Sequence, residues 1–254
     1  MPHQNSCIRT RRLSLIRVIV ISHNQRESLE EMTFSLRAQL PGYQRLFVLD
    51  RCVDDSAALL TSLGEAFVEK NEGTGWEAGQ VRNKGLKHFG YSGNFLVLDG
   101  DRIPSGLSPL GIDEALSKYD FTLLSLSKDT RTWFDRGTPG VLVDNPHMGL
   151  LNNSFMTPGI LIRDTALRKC VKENDGFLFN PRMDGVWGFE DFALGDLVSS
   201  LELTCGGFPT TVWLSGGFDT VEDLEASKKK IETRADIARG IYLNKKGNLT
   251  QWWK

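Results

Sequence analysis

Three short apolar runs do most to limit what this chain can fold into: LIRVIVIS at 15–22, RLFVLD at 45–50 and FLVLD at 95–99. They are rich in β-branched, leucine and phenylalanine residues, are short for buried helices, and each stops at a polar residue. Between the first two, Leu29, Met32, Leu36 and Leu40 recur at helical spacing until Pro41-Gly42 breaks the pattern. A second helix is predicted over 55–63, capped by Asp54 or Asp55, then a weaker strand over 66–71 and a third helix over 76–89. Strands alternating with helices at this spacing predict βαβ units, right-handed crossovers and a mostly parallel central sheet, an α/β fold.

The second half is less regular. A helix is predicted over 113–120, a strand over 121–127, and long loops over 128–158, where Gly, Pro, Asn and Asp are frequent. A strand and helix follow over 159–170, a helix over 190–203, and a charged helix over 222–243. The 254 residues, 40% hydrophobic and 24% charged, suit a soluble globular protein with an ample core. No apolar run approaches the ~20 residues of a membrane span, so no transmembrane segment is expected. Nor does a signal-like segment follow the basic start. Cys7, Cys52, Cys170 and Cys205 form no CxxC pair, which predicts free thiols and a cytoplasmic location.

Charge is uneven. Arg9, Arg11, Arg12 and Arg17 face no acid in the first 17 residues, and residues 228–254 hold eight Lys and Arg against Glu232 and Asp236. The net charge of −2 therefore conceals an acidic body with basic ends. Such ends are either solvated tails or guides for a polyanion such as nucleic acid.

In open α/β sheets, ligands bind at the carboxyl ends of the strands. Those ends here carry Ser22-His23-Asn24, Asp50 and Asp99-Gly100-Asp101. Residues two apart in an extended chain point the same way, so Asp99 and Asp101 would offer two hard oxygen ligands to one cation, Mg²⁺ or Mn²⁺. The plain alternative is a turn, since Asp and Gly are turn formers and Pro104 follows. His23 reads equally as a turn residue, Asp50 as a cap, and Arg82 as a surface residue of an amphipathic helix.

Four segments in order, IRVIVISHNQRESL, LFVLDRCVDDSAAL, GQVRNKGLKHFG and FLVLDGDRIP, resemble the nucleotide-sugar domain of GT-A fold glycosyltransferases, in particular the family 2-like group. The resemblance is good over 15–104 and patchy beyond. It implies a GT-A-type nucleotide-binding α/β/α sandwich in one domain. Its parts would be a basic tail (1–14), a nucleotide-sugar-binding half (15–104), an acceptor-side half (105–221), and a C-terminal helix with basic tail (222–254). It implies that Ser22, His23 and Asn24 lie beside base and ribose, and that Asp50 accepts a hydrogen bond from the base. Arg82 and Asn83 would help place the diphosphate. Asp99 would contact ribose, donor sugar or metal, and Asp101 would bind the metal.

DGVWGFEDFALGDLV, at 184–198, resembles the segment around the family's Glu-Asp pair. The resemblance implies that Asp191 is the base that deprotonates the acceptor, with Glu190 as its neighbour or substitute. Trp187 and Gly188 would lie near the acceptor or sugar, and Thr157 with Gly159 near the donor sugar. An acidic first turn favoured by the helix dipole, and a core Trp, are the plain alternatives.

The function implied is inverting, metal-assisted transfer of a sugar from a nucleotide-diphosphate sugar, UDP-linked by resemblance, to a saccharide, lipid carrier, protein or nucleic acid. The alternatives are a nucleic-acid-modifying glycosyltransferase, a nucleotidyltransferase of similar fold, and a non-catalytic nucleic-acid binder. Two departures stand out. No histidine follows Asp191 to complete a metal shell, which leaves His147 or Asp219 as candidates. RCVDDS also replaces the common Asp-Asp-Gly-Ser, which leaves the base open. Gly73-Thr74-Gly75 is no phosphate loop, because no GxxxxGK[ST] follows.

Overall fold

The computed structural model describes residues 16–73, 77–126, 143–144, 159–181 and 189–214. Its first half runs β1 (Ile16–Ser22), α1 (Arg26–Gln39), β2 (Gln44–Asp50), α2 (Ser56–Leu63), β3 (Phe67–Lys70), α3 (Ala78–His88) and β4 (Asn94–Asp99). The rest runs β5 (Arg102–Ser105), α4 (Pro109–Lys118), β6 (Phe121–Leu126), β7 (Val143–Asp144), β8 (Gly159–Ile162), α5 (Asp164–Glu173), α6 (Phe189–Ser200) and β9 (Cys205–Leu214).

Among the described residues, nine strands form one sheet in the order β3-β2-β1-β4-β8-β6-β9-β5, with β7 paired to β9. The β3-β2-β1-β4 half is parallel throughout, as the βαβ pattern requires. Beyond it β8 runs antiparallel to β4 and β6, β9 runs parallel to β6, and β5 and β7 run antiparallel to β9. The strand order reverses between β1 and β4, which makes a switch point at the carboxyl ends of those two strands.

The pleat explains why the first strands read as unbroken apolar runs. Val18, Val20, Phe47, Leu49, Leu96 and Leu98 face one layer, built from α1, α2 and α4. Ile19, Ile21, Leu46, Val48, Phe95 and Val97 face the other, built from α3, α5 and α6. Both faces are covered, so the fold is an α/β/α sandwich. Leu29, Met32 and Leu36 on α1 and its C-cap Leu40 are all fully buried, each a side chain worth about 1.5–3 kcal/mol relative to exposure. Gly85 lets α3 approach closely: a Cβ there would stand 2.6 Å from Ile19 Cγ2.

Several boundaries differ from expectation. α4 starts at Pro109 rather than 113, because Ser108 caps it by accepting from the Gly111 N–H at 3.1 Å. It ends before Asp120, where Tyr119 turns extended. α6 stops at Ser200. The strands β5, β7 and β9 were not expected at all. The 1–14 tail and the 222–243 helix lie outside the described residues, as does 128–158 apart from β7. Among the described residues, no helix is long and apolar enough to cross a membrane, and Cys52, Cys170 and Cys205 are free thiols.

Candidate functional site

The carboxyl ends of β1, β2 and β4 open into a cleft of about 470 Å³, lined by Ser22, His23, Asp50, Arg82, Asp99 and Asp101 among others. Gly100 shapes its floor. Its N–H donates to the Ile21 carbonyl at 2.7 Å, and a Cβ there would lie 2.9 Å from that same oxygen. A side chain between the two aspartates would therefore push the turn off the end of β1.

One end of the cleft is built from the loops after β1 and β2. Asn24 sits in the left-handed region (φ 52°) and its Oδ1 accepts from the Val53 N–H at 2.7 Å. Asp54 Oδ2 accepts from the Arg26 N–H at 3.0 Å, and Asp54 Oδ1 from the Ser56 N–H at 3.2 Å. His23 Nδ1 lies 2.6 Å from the Asp50 carbonyl. A carbonyl only accepts, so Nδ1 carries a proton and donates it. The Asp50 carboxylate is already gripped: Arg51 Nε and Nη2 donate to its two oxygens at 3.0 and 2.6 Å. Lys70 Nζ lies 3.6 Å away and also pairs with Glu77. Around Asp50 itself, two carboxylates, Asp50 and Glu77, face two cations, Arg51 and Lys70.

The other end is held by Arg82, which is buried in α3. Its Nη2 donates to Asp99 Oδ1 at 2.8 Å and its Nη1 to Glu190 Oε1 at 3.2 Å. One guanidinium thus joins the Asp-Gly-Asp turn to the first turn of α6. Burial alone would press Arg82 down, but the charges of Asp99, Asp191 and Glu190 outweigh it and hold the guanidinium above its ordinary value. Among the described residues, Arg82 Nε and Ser22 Oγ, both buried in the cleft wall, have no hydrogen-bond partner. Such donors are commonly met by a ligand or water. Glu190 is buried, whereas Asp191 beside it is half-buried.

Asp101 stands 3.5 Å from Arg102 Nε. Burial pushes its carboxyl up; Arg102 pulls it down and Asp99 pushes it up further. Among the described residues, this end sets Asp99, Asp101, Glu190 and Asp191 near Arg82 and Arg102. Among the described residues, no group of three or more His, Cys, Asp or Glu is placed to hold a metal ion. Two hard carboxylates and an excess of acid nonetheless fit Mg²⁺ or Mn²⁺, which fill the remaining shell from phosphate oxygens and water.

The fold brings together Ser22, His23, Asp50, Arg82, Asp99, Asp101, Glu190 and Asp191. It does not bring in Asn83. That side chain is buried, its Nδ2 donating to the Phe179 carbonyl at 2.6 Å and its Oδ1 accepting from the Phe179 N–H at 3.1 Å. The expectation that Asn83 helps place a diphosphate is therefore corrected: its amide is spent on the backbone of Phe179. Asn24 stitches two loops instead of lining the cleft. Gly159 pairs with Leu98, one residue from Asp99. Thr157, Trp187, Gly188, His147 and Asp219 lie outside the described residues. Sequence reasoning missed Arg51, Lys70, Glu77 and Arg102. The available signal for Arg51 was a cation directly after a strand-terminal Asp.

Neither a family model nor a curated protein sequence matches the chain. Solved structures match at the level of fold. TarS from S. aureus (residues 1–349) is 16% identical with a TM-score of 0.54, the match covering 93% of this chain and 72% of that one. Against a longer TarS chain the coverage is 91% and 43%. Glucosyl-3-phosphoglycerate synthase from Mycobacterium tuberculosis, in complex with Mn²⁺, UDP and phosphoglyceric acid, is 12% identical over 89% of this chain and 79% of that one, TM-score 0.52. A Bacillus anthracis protein described as a glucose-1-phosphate thymidylyltransferase is 13% identical over 88% and 95%, TM-score 0.53. These likenesses show the GT-A fold.

Proposed function

We propose that the protein is a glycosyltransferase that moves a sugar from a nucleotide-diphosphate sugar, a UDP-sugar in the first instance, to an acceptor hydroxyl with inversion. The observation that carries this is Arg82, buried between Asp99 of the donor-side turn and Glu190 of the acceptor-side helix. That bridge ties Asp99, at the strand end that lines the cleft, to the first turn of α6, which carries the half-buried Asp191. In this reading residues 15–104 hold the donor and 105–221 the acceptor. Asp99 and Asp101 would hold Mn²⁺ or Mg²⁺, which supplies neutralising charge to the departing diphosphate. Ser22 Oγ and Arg82 Nε offer hydrogen bonds to the donor's polar groups. Asp191, the more accessible of the acidic pair, takes the acceptor proton. The complexes of the mycobacterial synthase with Mn²⁺ and UDP support the choice of metal and nucleotide.

The second reading, a nucleotidyltransferase, is favoured by the likeness to the thymidylyltransferase. It would join a nucleoside triphosphate to a sugar phosphate and release pyrophosphate. Apart from Arg17 in β1, the basic ends that suggested a nucleic-acid partner lie outside the described residues and add nothing to either reading.

The test is calorimetric titration with UDP, GDP, CDP and ADP, with and without Mn²⁺. Mn²⁺-dependent binding of one of them is expected. No binding under either condition would overturn the proposal. Pyrophosphate release from a nucleoside triphosphate and a sugar 1-phosphate would move the assignment to the second reading.

A further inference from the structure

We infer that Phe179 is a positioning residue for the transfer reaction: its ring holds the plane of the Arg82 guanidinium so that Nη1 meets Glu190 and α6 stays docked beside the aspartate turn. The inference rests on the nucleotide-sugar reading above and deepens it, by naming what aligns Asp191 with the donor. Phe179 lies between α5 and α6 and is fully buried. Arg82 Cζ lies over its ring, 5.4 Å from the centroid. Asn83, the next residue of α3, grips the backbone of the same phenylalanine, accepting from its N–H at 3.1 Å and donating to its carbonyl at 2.6 Å. One turn of α3 thus carries both the guanidinium and the clamp on the ring that supports it. The segment before the ring is tied as well: Asn174 Nδ2 donates to the Leu178 carbonyl at 3.2 Å, and the Phe177 N–H donates to the Asn174 carbonyl at 3.0 Å.

A guanidinium that feels the charges of Asp99, Asp191 and Glu190 has more than one way to turn. The bond to Asp99 does not choose among them. Asp99 is set by the sheet, through its register with Ile21 and the Gly100 N–H on the Ile21 carbonyl, so the 2.8 Å bond from Nη2 acts as a pivot. Nε–H and Nη2 share one edge of the planar fork, and Nη1 is its far end. Tilting about the pivot keeps the first edge beside Asp99 but swings Nη1 off Glu190, where the bond is already longer, 3.2 Å. An aromatic face within about 6 Å of a desolvated cation opposes that tilt, whereas an aliphatic side chain of similar volume fills the space and favours no plane. Glu190 and Asp191 are neighbours in the first turn of α6. The ring therefore acts on Asp191 through Arg82 and Glu190, and leaves the donor-facing edge of Arg82 in place.

The experiment compares Phe179→Leu in the full chain with Phe47→Leu, which removes an equally buried ring from the other layer. Both variants lose core packing, and urea denaturation measures how much. Hydrogen–deuterium exchange then follows the amides of Ala193 and Leu194 in α6. In Phe179→Leu their exchange should rise about 3- to 30-fold beyond what the global loss of stability accounts for, the scale of a desolvated cation–π contact. In Phe47→Leu it should follow global stability alone. Glu190→Ala should reproduce the α6 signature with the ring intact. Calorimetric UDP affinity in Mn²⁺ should be unchanged in Phe179→Leu, because the donor-facing edge keeps its pivot. If Phe179→Leu fails to fold, Phe179→Met fills the site with an adaptable chain and the same signature is expected. Equal α6 exchange in the two phenylalanine variants, once corrected for stability, overturns the inference. So does a loss of UDP affinity in Phe179→Leu, which would put the ring at the service of the donor. A wild type that binds none of UDP, GDP, CDP and ADP overturns the nucleotide-sugar reading, and the role given to Phe179 with it.

Discussion

Arg82 and Glu190 stand 108 positions apart in the sequence and 3.2 Å apart in the fold, both buried. The same guanidinium reaches Asp99 at 2.8 Å, so one side chain ties α3, the end of β4 and the start of α6. Arg82→Ala removes the cation from among three carboxylates. It should lower stability by about 3–5 kcal/mol, the scale of breaking a buried ion pair. Urea denaturation measures this. Glu190→Gln should cost much less, because the neutral amide oxygen still accepts from Nη1. Equal losses in the two variants would show that charge at Glu190, not the hydrogen bond, holds the bridge.

Asp101 gives a pH-dependent prediction. Burial raises its carboxyl above the value of about 3.9 in an unfolded chain. The folded state then holds the proton more tightly than the unfolded state. The stabilisation from protonation is fully present below the unfolded value and is lost as pH rises through the folded one. At pH 7, without metal, Asp101→Asn should be at least as stable as the wild type, and the difference should shrink as pH falls toward about 4. The same variant should lose Mn²⁺-dependent nucleotide binding. A variant less stable than the wild type at pH 7 would show that the ion pair with Arg102 outweighs the cost of burial.

Asp191→Asn should spare donor binding and lower transfer by more than about 100-fold, the scale of a lost general base. Single-turnover kinetics beside a UDP titration separates the two effects. Weakened UDP binding with proportionate loss of turnover would place Asp191 on the donor.

Asn83→Leu should leave the N–H and carbonyl of Phe179 unmet and cost about 1–3 kcal/mol for each. Nucleotide affinity of the folded fraction should not move. A tenfold loss of affinity at unchanged stability would return Asn83 to the donor site.

The parallel half of the sheet was legible because β1, β2 and β4 are covered on both faces, so their burial shows as unbroken apolar runs. Their polar ends were legible for the same reason: a run that stops at Ser22, Asp50 or Asp99 marks the edge of the core. β5 and β9 were not. RIPS contains Pro104, and CGGFPTTVWL opens on two glycines and a proline, all local signals for a loop. Their strand character comes from pairing such as Ile103 with Trp213, more than a hundred residues away in the chain. Asn83 was misplaced because it adjoins Arg82 in sequence, yet successive helix residues point about 100° apart. Arg51 was missed because its contact depends on a left-handed backbone turn that its residue type does not announce.

β9 has a consequence for motion. It pairs with β6 from Cys205 to Phe208 and again at Val212, and with β5 from Thr211 to Leu214, and β5 begins directly after Asp101. The aspartate turn is thus splinted from below by β1 and from the side by a strand belonging to the opposite half of the molecule. Opening that splint would release the turn and the strand together. In hydrogen–deuterium exchange, the amides of Ile103 and Ser105 should therefore gain deuterium in step with those of Thr211 to Leu214, as one cooperative unit distinct from β1 and β2.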